Sequence, residues 1–131
     1  MTRLSFLTAA LFLCTVGVAC TTAGEIRSQN RQRLSELEVG MSRDAVMETM
    51  GAFQKRTQSG SRLNNPYRTE TARVDTGGTA TLLWYYTDLK NDDGAITDDE
   101  LTPVVLENGE VIGWGSSMVD ARENEYIVRI R

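Results

Sequence analysis

The side chains that could do chemistry in this sequence are concentrated in a few places, the densest being the run K-N-D-D-G-A-I-T-D-D-E from Lys90 to Glu100. Carboxylate and carbonyl oxygens spaced this way are what a calcium ion takes as ligands. Against the loop pattern D-x-[DN]-x-[DN]-G-x5-E, placing Gly94 sixth puts Asn91 third, Asp93 fifth, Ile96 eighth and Glu100 twelfth. The first position, normally a carboxylate, is Leu89, and Asp88 stands one residue out of register. The pattern also needs a helix on each side, whereas T-L-L-W-Y-Y-T leads in and T-P-V-V-L leads out. Asp92-Asp93-Gly94 has a simpler reading as turn chemistry, since aspartate makes local Asx turns and glycine supplies positive φ. The expectation is an acidic loop between two strands with no metal site assigned; a calcium-binding module on residues 88–100 is the alternative.

Other candidates for catalysis are weaker. Asp98, Asp99 and Glu100 could do acid–base work only if held across a cleft with shifted pKa values, and three adjacent acids in a polar loop favour a solvated turn. Ser116-Ser117 has no histidine to activate it, because the chain contains none. Gly113-x-Gly115 lacks both the third glycine and the strand-to-helix setting of a dinucleotide site. The reading is a protein that is not an enzyme and carries no cofactor.

At 131 residues with a net charge of −4, the chain has room for one domain and no broad attraction for nucleic acid. Its N-terminus, MTRLSFLTAALFLCTVGVA, has one positive charge at Arg3, an apolar run from Leu4 to Val18 and then small residues. This is the architecture of a secretory signal over residues 1–19. The apolar run falls short of the roughly 20 residues that a membrane span needs.

The next four residues, Gly17-Val18-Ala19-Cys20, resemble the lipobox of bacterial lipoproteins, which implies Cys20 as the site of lipid attachment. Simple cleavage near Ala19 or Ala23, releasing a soluble periplasmic or secreted protein, is the alternative. Lipidation at Cys20 and loss of Cys14 with the signal would leave no thiol for a disulfide. Thr21 is not the aspartate that favours inner-membrane retention in such proteins, so the implied address is the outer membrane, lipid-anchored on its periplasmic face. Residues 20–28 then read as a lipidated tether, small and polar at its start.

Downstream, residues 29–116 read as one folded unit. Residues 28–37 suit a short helix, with Leu34 and Leu37 as its apolar contacts. Ser42 is a good N-cap for a second helix starting at Arg43, whose Val46, Met47 and Met50 share one side and which Gly51 ends. From Phe53 to Asp75 the chain is polar, locally basic and rich in turn formers, hence a connection in which 69–74 can pair as an edge strand. T-A-T-L-L-W-Y-Y-T is dense in β-branched and aromatic residues and apolar on both faces, which predicts a central strand. Asn108-Gly109 joins a strand over 102–107 to another over 110–115 as a hairpin. Trp114, between two glycines, is read as core in preference to a partner contact. Residues 117–131 form a tail that either ends in a strand or frays.

The series L-x-x-L-x-V-G-M-S-x-x-x-V-x-x-x-M-G, carried by Leu34, Leu37, Gly40, Met41, Ser42, Val46, Met50 and Gly51 and followed by Trp84-Tyr85-Tyr86 and the Asn108-Gly109 hairpin, resembles small bacterial outer-membrane lipoproteins of the SmpA/OmlA (BamE-like) type. More narrowly, Y-Y-T, D-G-x-I-T-x-D-E, T-P-V-V and V-I-G-W-G look like a lipoprotein family of unknown function with the same acidic turn. Where that broader type has proline after the glycine that follows helix two, this chain has Ala52 and Phe53. The resemblance implies an α+β fold, two N-terminal helices packed on a three- to four-stranded antiparallel sheet. It also implies a role in outer-membrane assembly through contact with other subunits. The expectation is a non-catalytic interaction or assembly factor, with the membrane and an envelope protein as partners and the exposed sheet as the binding platform.

Overall fold

A computed structural model describes residues 22–130; the expected signal over residues 1–19 and the expected lipid site Cys20 lie outside the described residues. The first helix, α1, spans Ala23–Leu34. It begins where a tether was expected, because Thr22 and Glu25 form a capping box. The Thr22 hydroxyl accepts the Glu25 N–H at 3.1 Å and the Glu25 carboxylate accepts the Thr22 N–H at 2.8 Å. Residues 23–28 are therefore helical, and the helix stops at Leu34 instead of Leu37. Ser35, Glu36 and Leu37 turn back onto carbonyls three residues earlier, a tighter winding that closes the last turn. Leu37 is still buried.

The second helix, α2, spans Arg43–Met50 as predicted. The Ser42 hydroxyl accepts the Ala45 N–H at 3.2 Å, and Val46 and Met50 are fully buried. Each such side chain contributes about 1.5–3 kcal/mol through removal of apolar surface from water. Gly51 ends the helix at φ +75°, and a β-carbon there would lie 2.9 Å from the Arg33 guanidinium. The positive φ is what favours glycine, since the arginine tip could shift aside.

Seven strands follow: β1 (Phe53–Arg56), β2 (Arg62–Asn65), β3 (Arg68–Val74), β4 (Thr79–Tyr86), β5 (Leu101–Glu107), β6 (Glu110–Trp114) and β7 (Tyr126–Ile130). The segment expected to be a bare connection contains the antiparallel β1–β2 hairpin, a two-stranded sheet of its own. The other five form one antiparallel sheet in the order β6-β5-β4-β3-β7, one strand more than the upper expectation. Strand β4 is central, as its two apolar faces require. Strand β3 pairs with it as predicted, but it is not an edge, because β7 covers its other side. The tail thus ends in a strand, reached through a third helix, α3 (Ser116–Arg122), and a short 3-10 turn. In the β5–β6 hairpin Asn108 and Gly109 have φ of +50° and +83°, as a two-residue turn twisted to match its strands demands.

Alternation along β4 divides the core in two. Leu83 and Tyr85 join Val104, Leu106, Leu37, Val46 and Met50 on one face. Leu82, Trp84 and Tyr86 join Val105, Leu63, Val119 and Tyr126 on the other. Helices α2 and α3 therefore cover opposite faces. All residues from Leu82 to Tyr86 are buried, so neither face of β4 is an open docking platform, contrary to expectation. In α1, Ile26 belongs to one cluster and Leu34 to the other. The helix accordingly lies across the end of β4, with Asn30 at the crossing.

Candidate functional site

The Tyr86 end of the sheet gathers most of the buried polar chemistry among the described residues. Asn30 lies four residues from both Ile26 and Leu34, on the buried stripe of α1. Its Nδ2 donates to the Tyr86 carbonyl at 2.8 Å and to Asn65 Oδ1 at 3.0 Å. Asn65 Nδ2 in turn donates to the carbonyls of Met50 and Gly51 at 2.9 and 2.8 Å. Two amides thus satisfy the end of β4 and the end of α2, and tie both to the β1–β2 hairpin. Arg31 donates to the Thr87 carbonyl and Arg33 to that of Met50, closing the same end from outside.

The acidic loop leaves from this end and returns to it, joining β4 to β5. Glu100 is buried and organises the loop. One carboxylate oxygen accepts the N–H of Lys90 at 2.7 Å and of Asn91 at 3.3 Å, while the other accepts that of Thr97 at 3.0 Å. The Glu100 carbonyl also accepts the N–H groups of Thr87 and Asp88. The backbone donors of Thr97 and then Lys90 hold its carboxyl below the ordinary glutamate range. Asp93 accepts the Ala95 N–H at 3.0 Å and Gly94 has φ +79°, which is the Asx turn read from the sequence. Asp88 forms an exposed pair with Lys90, which with the Leu89 N–H keeps its carboxyl low.

The three adjacent acids do not converge. Asp98 pairs with Arg68, Asp99 accepts the Thr97 hydroxyl, and Glu100 takes backbone amides. Strands lie on both sides of the loop, entered from β4 and left through a single 3-10 turn into β5. Among the described residues no group of three or more acids or cysteines is placed to hold a metal.

Arg68 fastens the loop to the sheet. Its Nε meets Glu70 at 2.9 Å, its Nη1 meets Asp98, and its guanidinium lies 4.4 Å from the centre of the Trp84 ring. Glu70 is fully buried, so it depends on charged and polar partners of this kind.

Between α1, the β1–β2 hairpin and the acidic loop runs a cleft of about 240 Å³, lined by Ala23, Arg27, Thr57, Arg62, Tyr86 and Ile96 among others. Arg27 sits on its wall, donating to the Tyr86 hydroxyl at 2.8 Å with the guanidinium 5.2 Å from that ring's centre.

Other sequence candidates lie elsewhere. Trp114 is half-buried against the α2-side cluster, which supports its reading as core. Ser116 and Ser117 are exposed at the start of α3. Gly113 and Gly115 do stand at a strand-to-helix junction, β6 into α3, contrary to expectation; Gly115 turns the chain at φ +100°. The third glycine is still missing, and α3 is only two turns long. Sequence reasoning missed Asn30, Asn65 and Arg68. The spacing of Asn30 with Ile26 and Leu34 was the available signal for the first.

Among the described residues no helix is long and apolar enough to cross a membrane. No curated protein and no solved structure matches the chain. Residues 23–121, from the first residue of α1 to the last turn of α3, match the family described as "Protein of unknown function (DUF3192)", and the chain belongs to that family.

Proposed function

We propose that this protein is a non-catalytic, lipid-anchored lipoprotein on the periplasmic face of the bacterial outer membrane, acting as an interaction or assembly factor. The observation that carries the reading is the join between leader and domain. Gly17-Val18-Ala19-Cys20 closes a secretory signal, and the capping box at Thr22 starts the folded unit two residues after that cysteine. Anchor and domain are thus almost contiguous. The separate engagement of Asp98, Asp99 and Glu100 favours a structural loop over acid–base work or calcium ligation. The likeness to BamE-like lipoproteins is part of this proposal and rests on Leu34, Leu37, Gly40, Met41, Ser42, Val46, Met50 and Gly51. With both faces of β4 covered, the contact surface for an envelope partner lies away from that strand.

The test is crosslinking from envelope membranes beside a Cys20→Ala control, with fractionation of both. Wild type recovered in the outer membrane with a discrete crosslinked partner, and a control that is soluble or unprocessed, is the expected result. Unchanged outer-membrane recovery of the control would overturn the anchor.

A further inference from the structure

Resting on the proposed anchor at Cys20, we infer that the β1–β2 hairpin is a lipid-facing element, its tip laid against the phosphate layer of the bilayer that holds the protein. Two observations lead there independently. The first is position. Cys20 lies three residues before Ala23, so its acyl chains attach within about 11 Å of that residue whatever path the chain takes. Ala23 lines the same cleft as Thr57, Ser59, Ser61 and Arg62 of the hairpin tip. The Tyr86 end of the sheet is thereby held at the membrane. The turn at Asp75–Gly78 closes the opposite end, about 23 Å away along β4 at the usual rise per residue.

The second observation is charge. The protein is acidic as a whole, yet from Phe53 to Pro66 it carries Lys55, Arg56 and Arg62 and no acid. All three side chains are exposed. Strand β1 is exposed along three of its four residues, so the hairpin stands out from the core that Leu63 and Asn65 bury. Cationic side chains near a surface containing anionic lipid are drawn to it over about a Debye length. Across the cleft, Asp92 and Asp93 of the acidic loop are exposed and repelled by the same surface. Attraction on one wall and repulsion on the other tilt the domain, hairpin down and acidic loop raised.

The mature lipidated protein would have no free thiol, so Ser59→Cys, Asp93→Cys and Thr76→Cys each give a single labelling site at an exposed position. Each variant, full length and processed, is labelled with bimane and reconstituted into vesicles with a headgroup spin-labelled quencher. The vesicles are phosphatidylcholine alone or phosphatidylcholine with roughly one third phosphatidylglycerol. Mass spectrometry of the same preparation reads the state of Cys20. The expected order of quenching is 59, then 93, then 76. Phosphatidylglycerol should raise quenching at 59 only, and Arg56→Gln with Arg62→Gln, both at exposed sites, should abolish that increment. Acylated protein with equal quenching at 59 and 76, or with no response to phosphatidylglycerol, overturns the apposition and leaves the anchor standing. An unmodified Cys20 overturns the anchor and the apposition with it.

Discussion

The two ends of β4 are closed by different means. At the Thr79 end, the turns Asp75–Gly78 and Asn108–Gly109 meet side by side, close enough that a β-carbon on Gly78 would fall 2.7 Å from the Asn108 side chain. Each turn is made by residues adjacent in sequence. At the Tyr86 end, the closure is made by Asn30 with Asn65, by Arg68 with Asp98, and by Glu100 with the loop amides, and the first two of these pairs are 35 and 30 residues apart in the chain. At one end the turns themselves are local, with the part-buried Arg122–Glu107 and Arg122–Glu125 pairs beside them; the other end is a buried polar assembly between distant segments, next to the cleft between α1, the β1–β2 hairpin and the acidic loop. Buried polar networks of this kind specify one arrangement of the segments they join and are costly to disturb.

The largest predicted effect is therefore at the Tyr86 end. Asn65→Ala removes the donor to the Met50 and Gly51 carbonyls and the acceptor for Asn30, and should lower stability by about 3 kcal/mol, read by urea unfolding. A loss under about 1 kcal/mol would mean that water replaces the amide and that the hub is not structural. Arg68→Met follows at about 2–3 kcal/mol, because it takes a charged partner from buried Glu70, discounted for the part of Arg68 that solvent reaches. It should also free the acidic loop, seen as faster amide exchange at Asp98 and Asp99.

Smaller effects sharpen the contrast. At the Thr79 end, Gly109→Ala costs only backbone strain at φ +83°, about 1 kcal/mol, since nothing lies within 4 Å of the new β-carbon. The smallest effect expected is in the pH profile. The carboxyl of Glu100 is lower in the folded protein than in the unfolded chain, so the unfolded chain binds its proton first as pH falls. Its contribution is complete above the ordinary glutamate range, near 4.3, and is lost as pH drops through the folded value. Thermal unfolding of wild type and Glu100→Gln should converge as pH falls below about 4; a constant gap would deny the role.

The same contrast explains what could be read in advance. Ser42 before an amphipathic turn, T-L-L-W-Y-Y and Asn108-Gly109 announce α2, β4 and the β5–β6 hairpin, because each signal is complete within a few residues. The acidic loop was recognisable as a turn from Asp93-Gly94, although the inward use of Glu100 was not, since it depends on amides up to ten residues away. The start of α1 was hidden behind Thr-Thr-Ala-Gly, which reads as tether unless Thr22 and Glu25 are paired as a box. The β1–β2 hairpin and α3 carry too little apolar pattern to be seen: Leu63 is the one buried apolar residue in the two hairpin strands, and Val119 the one buried residue of α3. They fold because the Tyr86 end and the outer face of β4 supply their partners. Of the candidate site, Cys20 is the element read from sequence that lies outside the described residues.

Mass spectrometry of the amino-terminal peptide from protein extracted from outer membranes tests the account most directly. A peptide beginning at Cys20, followed by Thr21-Thr22 and bearing diacylglycerol with or without a further acyl chain on its amine, is the predicted result. A free, unacylated terminus at Ala19, Cys20 or any residue beyond would contradict it.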